Sequence, residues 1–349
     1  MNANCPLPLP NSTNERVLLA HGGGGRLTRQ LIEQVFYPAF KNPLLGQEHD
    51  GAVFPAPSGG TRLAFSTDSF VVDPIFFPGG DIGSLAVNGT VNDLACCGAT
   101  PRWLSAGFIL EEGLPLADLE KIVVSMRQAA DVAGVAIVAA DTKVVERGKC
   151  DRIFINTSGI GEVAAGANIG PARAAAGDAI LCSGPIGAHG ITILAARKNL
   201  GFETNLVSDT APLHAMIAAL LAGVGDVHVL RDPTRGGVAG VLNEIAQAAH
   251  VRIEIDERAL PVPEAVAAAS ELLGIDPLHI ANEGVVLVVL PETLAEPALA
   301  IIRAFPAGKH AVRIGSVRAA SQPLVCVKTP YGGHRIVNMP NGEPLPRIC

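Results

Sequence analysis

From Leu116 to Val132 the apolar positions Leu116, Leu119, Ile122, Val123, Met126 and Ala130 fall on one stripe at helical spacing, which predicts an amphipathic helix. The run after it, "VAIVAADTKVV", predicts a buried strand with Asp141, Thr142 and Lys143 at its carboxyl end. Earlier, "RLAFSTDSFVVDPIFF" reads as a strand pair with Asp68 between apolar runs, and "GGDIGSLAVNGTVNDLACCGAT" as a helix bearing Asn92 and Asp93. "VLLAHGGGGRLTRQLIEQVF" gives a short strand, a glycine run, and a helix with Leu27, Leu31, Ile32 and Val35 at helical spacing. "RIFINTSGIGEV" is the last strand of the first half.

Around "AAGANIGPARAAAGDAIL" the composition shifts to Ala and Gly, which places a domain boundary near residues 165 to 172. The second half alternates again. Strands are expected at "AILCSG", "VHVLRDPTRGG", "VRIEID" and "EGVVLVVL", with further strands up to Val327. Helices are expected from about Ile191, over Pro212 to Ala222, over "VAGVLNEIAQAA", near Pro263 to Leu273, and from about Glu292 to Ala304. The expected organisation is an arm over 1–15, domains over 16–165 and 166–328, and a tail over 329–349. In that tail seven of 21 residues are Pro or Gly, too many for a helix or a central strand. At roughly 3.3 Å per residue, the stretch beyond Gly333 reaches on the order of 50 Å, so its last residue, Cys349, can visit more than one place.

Composition narrows the class. Hydrophobic residues make up 48% and aromatics only 4%, so the interior is built from small aliphatic side chains, as suits helices packed on sheets in an α/β protein. The net charge of -7 comes without a Lys/Arg block, which excludes the basic footprint of a nucleic-acid or membrane-surface binder. The longest uncharged runs, Ala179 to Ala196 and Thr210 to Gly225, are broken by Pro, Gly or His and make poor bilayer spans. The first residues have no basic region leading into an apolar stretch, so a cytoplasmic protein is expected. Seven cysteines at irregular spacing, with no CxxC pair, argue against a disulfide framework or a zinc site; Cys96 and Cys97 read as core residues.

Strand, glycine loop and helix is an order that binds anions, so the backbone at Gly22, Gly23 and Gly24 is a candidate phosphate cradle; a flexible linker explains the glycines equally well. Asp68, Asp93 and Asp141 each read as sitting at a strand end or a helix start beside small residues, where magnesium and phosphate could meet, and Asp232 in "RDPTRGG" and Glu283 in "ANEG" are counterparts in the second half. Each of these carboxylates also fits a cap or a turn. Lys143 and Arg235 could neutralise phosphate charge. No nucleophile elbow, HExxH or kinase HRD signature occurs, which leaves nucleotide-dependent chemistry.

Taken together and in order, "HGGGG", "STDSFVVDPIFFPGGDIG", "NGTVNDLA", "ADTKVVERG", "RDPTRGGV", "ANEG" and the terminal "PRIC" resemble the HypE family of hydrogenase maturation proteins, collinearly from about Arg16 to Cys349. The wider superfamily of aminoimidazole ribonucleotide (AIR) synthetase, selenophosphate synthetase and thiamine-monophosphate kinase lacks the PRIC tail. The resemblance implies a two-domain PurM/AIR synthase-like α/β (α+β) fold, and a homodimer formed by pairing of the N-terminal sheets. It implies ATP bound with Mg2+ near that interface, and carbamoyl dehydratase activity. A carbamoyltransferase, HypF, would load Cys349, ATP would drive loss of water, and the resulting thiocyanate would supply cyanide to iron on a HypC–HypD complex for nickel–iron hydrogenase. On that pattern Asp68, Asp93 and Asp141 hold the metal. Gly22, Gly23, Gly24, Asp68, Asn92, Thr142, Asp232 and Arg235 face the nucleotide, Lys143 assists, and Glu283 takes a proton from nitrogen. The long arm and the Ala before Asp141 depart from the pattern, and the loop "EHDGAVFPAPSGG" receives no role.

Two other readings fit the residues. A selenophosphate synthetase or other soluble-substrate enzyme of the superfamily needs a reactive residue near the glycine loop, and Cys5, 17 residues before Gly22 in a Pro-rich arm, is poorly placed. A non-catalytic thiol carrier would hold its modified cysteine without consuming ATP.

Overall fold

The computed structural model describes residues 23–40, 49–56, 60–197, 205–340, 345 and 347–349. The strand expected at "VLLAH", Gly22, Cys5 and the arm lie outside these residues. In the first half, strands β1 (Ala52–Pro55), β2 (Arg62–Phe70), β5 (Ala99–Glu111), β6 (Ala136–Val145) and β7 (Ile153–Val163) form one sheet in the order β1-β2-β7-β5-β6. Every pairing in it is antiparallel except β5 with β6. A ribbon of β3 (Phe76–Phe77) and β4 (Gly80–Asp81) leads into the helices. Before the sheet come α1 (Arg26–Leu31), a π-helical turn (Ile32–Phe36) and α2 (Tyr37–Phe40); α3 (Ile82–Cys96) and α4 (Leu116–Ala133) cover one sheet face. The Leu116 stripe thus gives the helix its pattern predicts, stopped by Gly134 in a left-handed conformation, φ 66°.

In the second half a seven-stranded sheet runs β14-β13-β10-β12-β8-β11-β9. Its strands are β8 (Asp178–Cys182), β9 (Val229–Arg231), β10 (Val251–Asp256), β11 (Leu287–Pro291), β12 (Val312–Ala319), β13 (Leu324–Lys328) and β14 (His334–Ile336). Helices α5 (Ala188–Ala196), α6 (His214–Val224), α7 (Gly237–Ala249), α8 (Glu264–Leu273) and α9 (Ala295–Arg303) fall where the sequence pattern puts them.

The centre of the molecule is α3. Asp81 caps it, accepting from the Gly83 and Ser84 amides, while Ser84 Oγ accepts from Asp81 N–H. Thirteen of its 15 residues are buried, because it is covered on one side by β2, β5, β7 and α4 and on the other by α6 and β9 of the second half. Gly89 lets the Phe70 ring come within 2.8 Å of where a Cβ would stand. Burying Phe70, Leu85 and Leu94 removes them from water at about 1.5–3 kcal/mol each.

Three expectations change. Residues 62–70 make one strand, with Asp68 inside it, instead of ending at Asp68. The predicted buried strand is β6, an edge strand with nine of its ten residues exposed, Val138 at 63% and Val144 at 66%. An apolar run reads the same whether it is covered or still awaits a cover. The stripe after the glycine loop is likewise uncovered, with Ile32, Val35 and Phe36 each about half exposed.

Candidate active site at the domain junction

Where α3 meets the second half, acidic groups converge from five segments. Asp93 on α3 accepts from Ser66 Oγ on β2 at 2.6 Å. Asp68, two residues further along β2 and on the same face, lies 3.6 Å from the Arg235 guanidinium. Asp50, just before β1, pairs with Arg231 at 2.5 Å. Asp50, Cys96 and Asp232 each bring a ligand atom within 4.8 Å of the others. Glu283 is 3% exposed. The end of the glycine loop closes one side, since Gly24, at φ +68°, lies where a Cβ would be 2.8 Å from the Arg235 carbonyl oxygen.

Each motif explains its own placement. In "ANEG", Asn282 donates to the Pro233 and Ile280 carbonyls and accepts from Gly187 N–H, so it ties this turn to "RDPT". The Glu283 and Gly284 amides both donate to the Asp209 carboxylate, at 3.2 and 3.1 Å. Gly284 passes so close to this loop that a Cβ on it would stand 1.8 Å from Asp209 O. Gly284→Ala is therefore expected to cost more than about 2 kcal/mol of stability, read as a fall in urea midpoint with unchanged slope; an unshifted midpoint refutes the packing argument.

Burial and mutual repulsion set the charges. Asp93 is pushed well above the carboxylate range by burial first and then by Asp232, Asp68 and Asp50. Asp232 is raised to about 7 by burial and Asp50, opposed by Arg231. Glu283 is raised strongly by burial, then by Asp232, Asp68 and Asp209. Asp68 is raised by burial against the pull of Arg235; its side chain is 30% exposed, and it is the most open of the set. Asp50 Oδ2 and Glu283 Oε1 are buried with no hydrogen-bond partner among the described residues. A pocket of carboxyls with raised pKa values and unmet acceptors fits a hard divalent cation with oxygen ligands.

The linkage has a definite sign. Folded Asp232 at about 7 and Asp209 at about 6 bind protons more tightly than unfolded carboxylates, so folding is favoured at low pH, and this contribution is lost as pH rises from about 4 through 7. Metal-free protein is expected to melt at lower temperature at pH 8 than at pH 5.5, with magnesium narrowing the difference. Equal melting temperatures in chelator at both pH values contradict this.

The structure does not bring every candidate here. Asp141 and Lys143 bond to each other on exposed β6, at 2.7 to 2.8 Å, and their register runs through Gly107 and Asn156 to Ser69, the sheet face opposite Asp68. Thr142, also exposed, is separated from β2 by β5 and β7, about 14 Å at a strand spacing near 4.8 Å. Within one chain these three are therefore remote from Asp68 and Asp93. Asn92 is also corrected: it donates to the Ala211 and Glu283 carbonyls and accepts from Leu213 N–H, so its amide holds the two halves together. Gly23 and Gly24 are present beside Arg235, and Gly22 lies outside the described residues. Asp50 and Asp209 were missed. The acidic "HDG" just before β1 is the signal that Asp50 offers.

Cys349 is inside the protein. It is 5% exposed and belongs to the apolar cluster of Phe70, Val72, Ile75, Phe77 and Ile191. Val71 N–H donates to Cys349 O and Asp73 N–H to Arg347 O, both at 3.1 Å, so the chain end lies antiparallel to residues 71–73. Arg197 donates to the Arg347 carbonyl, Arg347 pairs with Asp151 at 2.7 Å, and His189 Nε2 reaches Ile348 O at 2.5 Å. Farther back, β14 adds to β13 as an edge strand and Arg26 N–H donates to Pro340 O. The segment from Thr329, expected to lack regular structure, thus contributes one short edge strand and a buried terminus.

Two α/β halves that close on an acidic junction define the class. Residues 48–163 match the AIR synthase related protein N-terminal domain and 175–325 the C-terminal domain. The chain is 52% identical to the carbamoyl dehydratase HypE of Azotobacter vinelandii over 336 residues, 96% of this chain and 98% of that one. It is 48% identical to that of Escherichia coli (strain K12), covering 95% and 99%. Among solved structures, a HypE–HypF complex aligns with TM-score 0.84 at 52% identity over 89% of this chain and 99% of that one. HypE in complex with ATP aligns with TM-score 0.80 at 51% identity over 96% and 100%. The chain belongs to the HypE family of carbamoyl dehydratases, enzymes of hydrogenase maturation. Among the described residues no helix is long and apolar enough to cross a membrane.

Proposed function

We propose that this enzyme dehydrates a carbamoyl group carried on Cys349, using ATP bound at the junction of its two halves, and so makes the thiocyanate that supplies cyanide for hydrogenase iron. The observation that carries the reading is the docked terminus: a protein-borne thiol lies buried among apolar side chains, where a reactive intermediate is kept from water.

The atoms balance as follows. The thiocarbamate oxygen of Cys–S–C(=O)–NH2 takes the γ-phosphoryl group as ADP leaves. The nitrogen then gives up both protons, one to Glu283 and the other to the departing phosphate, as the C–O bond breaks and phosphate leaves with that oxygen, giving Cys–S–C≡N. Glu283 is the proton acceptor: burial makes its carboxylate a stronger base than an exposed one, and Oε1 is uncommitted. Arg235 lies beside Asp68 to bind phosphate oxygen. Asp50, Asp68, Asp93 and Asp232 would hold magnesium, which supplies charge neutralisation on the transferred phosphoryl group. Intact mass spectrometry of the carbamoylated protein with MgATP tests the reading. A tail lighter by one water, with ADP formed in step, is expected; an unchanged mass overturns it.

The same reading gives a cytoplasmic setting, loading by a HypF-type carbamoyltransferase, transfer to a HypC–HypD iron carrier, and a homodimer. Support for the dimer comes from the outer sheet face, where Phe65, Trp103, Ile109 and Val138 are 41 to 63% exposed. A dimer through that face would cover Lys143 and Asp141 and give them a place at a shared site. Val138→Asp is expected to yield monomers in analytical ultracentrifugation, and an intact dimer refutes the assignment of this face.

A further inference from the structure

We propose that His189 is the positioning residue for the reacting tail: its Nε2–H holds the Ile348 carbonyl and thereby fixes where the Cys349 side chain, and any group carried on it, comes to rest. The inference builds on the reading of Cys349 as carrier.

His189 lies on α5 and is fully buried. The tautomer is dictated by its partners. A carbonyl can only accept, so the ring carries its proton on Nε2, facing Ile348 O. Nδ1 is then an acceptor and takes the Ser208 hydroxyl hydrogen at 2.7 Å, while Ser208 Oγ accepts from Thr210 N–H at 3.2 Å. The Phe77 ring, edge-on at 5.7 Å between centroids, packs against the imidazole. Burial lowers the ring's pKa to about 4, which keeps it in this neutral form.

The direction of the contact matters. Along an extended chain successive carbonyls point to opposite edges. The Arg347 and Cys349 oxygens are taken on one edge, by the amides of Asp73 and Val71. Ile348 O points to the other, and His189 is the group that meets it there. The terminus is thus gripped from both sides at the residue preceding the thiol. The loop that orients His189 also orients the acid: Ser208 bonds the imidazole, and the next residue, Asp209, receives the amides of Glu283 and Gly284. One short turn therefore sets the tail and the proton acceptor relative to each other.

The test is the rate at which iodoacetamide alkylates Cys349 in the full-length protein, mapped by mass on the tail. Gln can bring an amide N–H to the Nε2 position, Asn only to that of Nδ1, and Phe to neither. His189→Asn and His189→Phe are expected to raise the alkylation rate about tenfold, the worth of one buried hydrogen bond, with His189→Gln close to the parent. Ser208→Ala, which frees the tautomer, should raise it severalfold and serves if the His189 variants fold poorly. On the loaded protein, dehydration in the first turnover should fall in the same order while loading by the carbamoyltransferase stays unchanged. Alkylation that is unchanged in Asn and Ser208→Ala variants, or a Gln variant as unprotected as Asn, overturns the proposal and leaves His189 a packing residue. If the parent itself never dehydrates its tail, the proposed activity fails, and the alkylation series still decides the positioning role.

Discussion

Changing Cys349 to alanine is expected to abolish dehydration altogether while ATP binding survives. The groups assigned to nucleotide, Asp68, Asp93, Asp232 and Arg235, gather where α3 meets the second half and the Gly24 loop, whereas the Cys349 side chain belongs to the apolar cluster of Phe70, Ile75 and Ile191. The tail's hold on the body runs through backbone bonds at 347 to 349, the Arg347–Asp151 pair and the burial of Leu345 and Ile348, all of which alanine leaves in place. Losing one buried sulfur should cost about 1 kcal/mol, within reach of a folded protein. Calorimetry with MgATP and intact mass after incubation with carbamoyltransferase measure the two halves. Carbamoylation of the alanine protein at another cysteine sinks the assignment; Cys96, Cys97, Cys182 and Cys326 are buried inside the fold and poorly placed to replace it. Residues appended after Cys349 should impair dehydration nearly as much, because the terminus sits in the apolar core with little room behind it.

What the sequence disclosed is what local chemistry encodes. The stripe of α4 and the strand-to-helix order of both halves rest on periodicity within a few turns. The turns "RDPTRGG" and "ANEG" are likewise recognisable as motifs, and the fold brings them together through Asn282 and Pro233. Contacts between distant segments were not legible. The one local mark of Asp50 is the short "HDG" before β1, and it does not reveal that the carboxylate is buried against Arg231 from the second half. Asp209 and His189 gain their importance from the Glu283 amide and the Ile348 carbonyl, partners 74 and 159 residues away. Asp141 and Lys143 show a different limit. Placing a residue at a strand's end says nothing about which sheet face it occupies, and β6 turns both away from Asp68. Nor can a pattern of apolar residues reveal whether the strand is covered by its own chain or by another.

Replacing Glu283 with glutamine is expected to slow dehydration by about 10²- to 10⁴-fold with loading of the tail unaffected. Glutamine keeps the volume and the backbone amide that Asp209 receives, so the turn should persist. What it removes is the only atom pair at that position able to take a proton. Its buried amide N–H can donate to a neighbouring acid, and it relieves the repulsion that Asp232, Asp68 and Asp209 exert on a carboxylate there. The variant should therefore melt no lower than the parent at pH 8, where Glu283 is most penalised, which separates a lost base from a lost fold. Because the nitrogen protons are removed after phosphoryl transfer, the variant should also consume at most one ATP per loaded tail without yielding thiocyanate at the parent rate. Single-turnover mass spectrometry, with ADP release followed alongside, reads both. Dehydration at the parent rate would transfer the proton-accepting role to another group, and of the acids at the junction Asp232, raised to about 7, would be the next to replace.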